Sequence, residues 1–126
     1  MLHTVFTPDN ADLHLLCVCE IAGGFCAPGA AALLQPGDTV DLVRERDNKF
    51  DPYAVRVERV MTKLGYIPGR TGANINRVVC AVIDSPYRLP VVCFVRQVHE
   101  GADHPRGRVH LGVYVDCSMQ TEVGTS

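Results

Sequence analysis

The residues with chemistry to offer gather in one short run, RERDNKFDPYAV, from Arg44 to Val55. Charged side chains fill half of it, and strand-like sequence stands on either side. Asp47 and Asn48 suit Asx turns and Pro52 fixes φ, so a tight turn accounts for those three. Phe50 and Asp51 need a further reason. A ring at a loop tip either folds inward or meets a partner. The carboxylate beside it either binds amides of its own loop or accepts a hydrogen bond from a ligand hydroxyl.

Catalytic constellations are scarce. An enzyme needs a nucleophile with a base, a metal set or a phosphate cradle. Gly23-Gly24 is not followed by Gly-Lys-Ser/Thr, so it is no P-loop. Cys17, Cys19, Cys26, Cys80, Cys93 and Cys117 contain no C-x-x-C pair. Cys17, Cys19, Cys80 and Cys93 sit in apolar runs and read as small core hydrophobes. Were zinc bound, Cys17, Cys19 and Cys26 would be its first ligands. His99, His104 and His110 lie with Glu100, Asp103 and Asp116 around the last hairpin. A two-His, one-carboxylate metal site there gives a third reading, a small metal-dependent hydrolase. The reading preferred is a non-catalytic module with no cofactor.

Charge narrows the partners. The chain carries a formal −2 overall, yet residues 44–77 hold eight Lys or Arg against four Asp or Glu, a local +4. Such asymmetry fits an anion-binding face, and also the solvated side of half-buried strands. No apolar run reaches the roughly 18 residues of a membrane span. The N-terminus lacks a basic region followed by an apolar stretch and cleavage site, so the chain reads as cytoplasmic.

The elements that must position these residues follow from periodicity. Alternating apolar residues predict strands over 13–23, 39–46, 53–60 and 63–68. Pro-Gly breakers at Pro28-Gly29 and Pro36-Gly37 mark the loop between the first two. The period then changes: Ile75, Val78, Val79 and Val82 predict a helix face, with Thr71 or Asn74 as cap and Asp84-Ser85-Pro86 as the stop. Strands over 87–100 and 108–117 follow, joined by GADHPRG, with Pro90 suggesting an edge or a bulge. The class is mainly β with one helix, in the order β-β-β-β-α-β-β. It suits a small, partly open, OB-like modified barrel of about six strands. Residues 1–126 read as a single domain, with 118–126 a fraying tail.

The span 36–79, PGDTVDLVRERDNKFDPYAVRVERVMTKLGYIPGRTGANINRVV, resembles a HIRAN domain of the free-standing bacterial type. Gly37, Asp38, Leu42, Arg44, Glu45, Asn48, Asp51, Ala54 and Val55 match its strand-and-turn pattern, with Phe50 in place of the usual Tyr. Gly65, Tyr66, Ile67 and Pro68 match its Gly-Tyr-Ile-Pro segment. The resemblance implies an OB-like barrel that binds nucleic acid, single-stranded DNA and its 3′ ends in particular, in the service of DNA repair. It implies that Phe50 stacks on the terminal base and that Asp51 accepts from the 3′-hydroxyl. Tyr66 and Arg70 would lie near a phosphate, and Arg44 and Lys49 would add positive charge. End-binding members carry an Arg and a second aromatic late in the first strand, where this chain has Cys19 and Glu20. A carboxylate on a phosphate path opposes binding, and a second stacking platform is missing there. The alternative within the family is a protein–protein adaptor for a helicase or nuclease.

Overall fold

The structure, a computed structural model, describes residues 5–22, 33–69, 73–101 and 104–118, and only the backbone of 100, 101 and 104–108. Gly23-Gly24, Cys26, Pro28-Gly29, Arg70, Thr71, Asp103 and 119–126 lie outside the described residues, as do the side chains of Glu100 and His104. The elements follow the expected order: β1 (Leu13–Glu20), β2 (Thr39–Arg44), β3 (Val55–Arg59), β4 (Thr62–Tyr66), α1 (Ile75–Ile83), β5 (Val91–Gly101) and β6 (His104–Asp116).

The strands form one antiparallel sheet in the order β1-β6-β5-β2-β3-β4. β2 is its corner. Thr39 and Val40 pair with Phe94 and Cys93 of β5, whereas Asp41 to Arg44 pair with β3. A strand that changes partner along its length lets the sheet fold over on itself. The outer strands then meet just beyond β1. The Ala22 N–H donates to the Tyr66 carbonyl at 2.9 Å, and the Tyr66 N–H donates back to Ala22 at 2.8 Å. The sheet therefore curls like an OB-type barrel and stays open, its edges joined by this isolated bridge.

Gly65 makes that bridge possible. A Cβ on Gly65 would collide with the Ala22 carbonyl oxygen and lie 2.6 Å from Ile21 Cγ2. Inside the curl, Val55, Val57, Leu64, Ile67, Val95, Leu111 and Val113 are almost fully buried. Val79 and Cys80 of α1 join this core, and the helix packs against β1 and β3. Among the described residues, no helix is long and apolar enough to cross a membrane.

Several local expectations need correction. The inward face of α1 runs through Ile75, Asn76, Val79, Cys80 and Ile83, while Val78 is 48% exposed. The face is turned because Asn76 is drawn inward by a hydrogen bond to Asp51. Asn74 does occupy the N-cap, but in the left-handed region and without a side-chain capping bond. Pro90 marks neither an edge nor a bulge within a strand. It immediately precedes β5, an interior strand, and its carbonyl accepts from Asp116 N–H at 2.9 Å. The β5–β6 ladder also runs further than expected, to Gly101 opposite His104. Cys19, Cys80 and Cys93 are buried as free thiols and Cys17 is half-buried. Burial pushes the Cys80 and Cys93 thiols up, which keeps them protonated.

Glu45 fastens the β2–β3 turn to the end of β4. Its Oε1 accepts from Asn48 Nδ2 at 2.9 Å and from the Tyr66 hydroxyl at 3.0 Å, and its Oε2 accepts from Arg56 Nη1 at 2.6 Å. Arg44 does not pair with Glu45, as adjacent strand residues point to opposite faces. It donates to the Pro52 carbonyl at 2.6 Å and faces Asp84 at 3.4 Å.

Two outcomes follow. Gly65→Ala should lose about 1–3 kcal/mol through overpacking, read as a lower urea midpoint. The hydrogen bonds from Asn48, Arg56 and Tyr66 hold the Glu45 carboxyl below its ordinary 4.5, against the opposing pull of desolvation. A depressed folded-state pKa contributes stability in full above the unfolded value and loses it as pH falls through the folded one. Glu45→Gln should therefore be less stable at neutral pH, with a shallower loss of stability below about pH 4.5. Parallel acid profiles for the two proteins would show that the network contributes nothing.

Candidate functional site

A cleft of about 360 Å³ opens between the β2–β3 turn and the bridge that joins the sheet edges. That lies within the ~300–1,000 Å³ range of ligand sites. Ala22, Ala54 and Ile67 make it apolar, and Asn48, Asp51 and Asn76 supply its polar side chains. Phe50, Tyr66 and Gly69 complete the lining.

Asn48 builds the turn that presents the first two candidates. Its Oδ1 accepts from the Phe50 N–H at 2.9 Å and the Asp51 N–H at 3.0 Å, while its Nδ2 is held by Glu45. The chain then reverses, with Ala54 N–H donating to the Asp51 carbonyl at 3.1 Å. Phe50 ends up 98% exposed. Asp51 is half-buried: Oδ1 accepts from Tyr53 N–H at 2.8 Å and Oδ2 from Asn76 Nδ2 at 2.8 Å. A carboxylate offers about four lone-pair positions, so about two remain for a ligand. The ring is therefore not a plug for the barrel, and the carboxylate is not consumed by main-chain amides.

Asn76 is the residue that sequence reasoning missed. It is 2% exposed, and its Oδ1 has no hydrogen-bond partner. Reversing the amide would set an acceptor against the Asp51 carboxylate, so the orientation follows from the pair itself. Leaving one buried acceptor unmatched costs about 1–3 kcal/mol. Gly69 gives the pair room, because a Cβ there would lie 3.1 Å from both Asn76 Nδ2 and Asp51 Oδ2. In the sequence Asn76 is only a polar residue early in a helix. Its meaning appears once Asp51 is placed opposite.

The remaining candidates divide. Tyr66 lines the cleft with its hydroxyl committed to Glu45 and the Lys63 ammonium 4.5 Å from its ring centroid. Lys49 is exposed in the turn beside Phe50. The Arg44 side chain is 13% exposed and is engaged with Pro52 and Asp84, so it holds the turn to α1. Arg70 lies outside the described residues. Cys19 points into the core and Glu20 is half-buried opposite His110. On the last hairpin the His99 and His110 rings do meet, 4.9 Å apart. Among the described residues, no group of three His, Cys, Asp or Glu side chains is placed to hold a metal ion.

Comparison with known proteins agrees with this architecture. A crystal structure of a Lactobacillus plantarum protein superimposes with a TM-score of 0.58 at 18% identity, covering 82% of this chain and 94% of that one. The crystal structure of the HIRAN domain of human HLTF gives 0.50 at 15% identity, covering 85% and 83%. At such identities the likeness is one of fold. No curated protein matches the chain. The family model for the HIRAN domain matches residues 17–115, which is most of the chain, with the second half of β1 and nearly all of the other five strands. The chain belongs to the HIRAN domain family.

Proposed function

We propose that the cleft binds the 3′ end of single-stranded DNA, in a chain that acts as one non-catalytic binding unit. The observation that carries this reading is the exposed Phe50 ring beside a carboxylate with acceptor capacity to spare. An exposed Phe forgoes about 1.5–3 kcal/mol of burial, and Asn48 spends two hydrogen bonds holding it out. Base–aromatic stacking offers a return of about 1–3 kcal/mol per base. The ring needs an unstacked base, which a single strand provides.

The carboxylate decides which part of the nucleotide enters. A phosphate charge about 4 Å from Asp51 is repelled by about 4 kcal/mol at an effective dielectric near 20. A hydroxyl donating to the same carboxylate gains about 1.5–3 kcal/mol. The sugar hydroxyl of a free end therefore belongs beside Asp51, and the phosphate lies outside, among exposed cations such as Lys49. Membership of the HIRAN family supports nucleic-acid binding. Within the cell this chemistry serves DNA repair in the cytoplasm, handing free ends to a helicase or nuclease.

Fluorescence anisotropy with labelled oligothymidylates tests the reading. A strand with a free 3′-hydroxyl should bind at least about tenfold more tightly than the same strand with a 3′-phosphate. Phe50→Ala should weaken binding by roughly 5- to 100-fold, and Phe50→Tyr should not. Equal affinity for both ends would remove Asp51 from its role, and an unaffected Phe50→Ala would remove the cleft.

A further inference from the structure

If the carboxylate keeps phosphates out of the cleft, the strand must leave it across a neighbouring surface, and one such surface is already organised. Tyr53 lies two residues beyond Asp51, and its N–H donates to Asp51 Oδ1. Its ring is partly exposed, with Tyr53 39% accessible. The Arg77 guanidinium sits 4.8 Å from the centre of that ring. Arg77 directly follows Asn76, whose amide holds the other oxygen of Asp51. One carboxylate thus joins two layers: Asn76 turned inward beneath it, and Tyr53 with Arg77 turned outward beside it.

Both outer residues are fixed in place from the main chain. The Tyr53 carbonyl accepts from Cys80 Sγ at 3.2 Å, which ties the turn to the middle of α1. The Arg77 N–H donates to the Asn74 carbonyl at 3.0 Å in the first turn of the helix. The charge of Arg77 is also uncommitted. Among the described residues of 44–77, Arg44, Arg46, Arg56 and Arg59 all pair with carboxylates, whereas Arg77 is exposed and meets only the Tyr53 ring.

The geometry points to a second nucleotide position, in which Arg77 binds the phosphate that follows the cleft and Tyr53 carries the next base. It rests on the proposed binding of single-stranded DNA in the cleft and extends it by one residue of the strand. A guanidinium lying against a ring keeps its outward N–H groups for a phosphate. The ring offers its remaining area to a base, whichever base it is, because every base has a π-face.

The test uses the full chain and hexathymidylate with a free 3′ end, titrated at several salt concentrations. Arg77→Gln should lower the magnitude of the salt slope by about 0.7, the share of one phosphate on a single strand. Arg77→Lys, which keeps the charge, should keep the slope. Tyr53→Leu should bind at least about fivefold more weakly, and Tyr53→Phe should bind as the wild type does. Thermal unfolding of each variant checks that the fold is intact, and the conservative partners keep the test open should Tyr53→Leu fail to fold. Binding that falls with Phe50→Ala but is untouched by Arg77→Gln and Tyr53→Leu leaves the cleft standing and overturns the second position. No binding of hexathymidylate by the wild type overturns the cleft and this position with it.

Discussion

Two main-chain hydrogen bonds between Ala22 and Tyr66 set how far apart the sheet's edges can stand, and the cleft is the space they leave. Each such bond contributes only about 0.5–1.5 kcal/mol net, so the bridge needs support on every side. Gly65 clears the way for Ala22, the partner switch along β2 supplies the fold-over, and Glu45 clamps the Tyr66 hydroxyl to the turn across the cleft. Ala22 and Tyr66 line the site as a result of closing it. A mutation that loosens the bridge would move the wall of the cleft together with the edge of the sheet.

The turn that carries Phe50 is held to α1 at three separate points, the middle one being the Cys80 thiol on the Tyr53 carbonyl. Asn76 grips Asp51 from the first turn of the helix, and Asp84 at the helix end takes Arg44 and Arg46. A loop tied at both ends loses little freedom when a ligand arrives, and ordering is a main cost of association. The unmatched Asn76 oxygen is consistent with that priority. The amide is oriented to hold Asp51, and the structure tolerates the orphan oxygen.

Much of this was legible in the sequence because period-2 alternation and turn chemistry are local. The strands around Asn48 and the helix stop at Asp84-Ser85 follow from residues a few places apart. What stayed hidden depended on residues distant in the chain. The helix face turned toward Asn76 because of Asp51, twenty-five places earlier. Val60 and Met61 carry positive φ values of 50° and 64° at the β3–β4 turn, with no Asn or Gly to announce it. The local excess of cations in 44–77 pointed to a face, yet most of its arginines are spent on Asp38, Glu45, Glu58 and Asp84.

That spending clarifies how selectivity and affinity are divided. An acceptor-lined cleft cannot attract a polyanion, and the paired arginines around it add little net field beyond a Debye length of about 8–10 Å. If the cleft takes a strand end as proposed, attraction has to come from cations at the rim, while the cleft admits or rejects what they bring. Phosphate contacts position a strand and side chains around a base or sugar discriminate. In the proposed complex the two tasks would fall to different residues: exposed Lys49 and Arg77 outside, and Asp51, held by Tyr53 and Asn76, within. On the proposed reading, removing negative charge from the cleft would raise general affinity for nucleic acid and abolish the distinction between an end and an interior, because there the carboxylate that rejects a phosphate is also the one that accepts a hydroxyl.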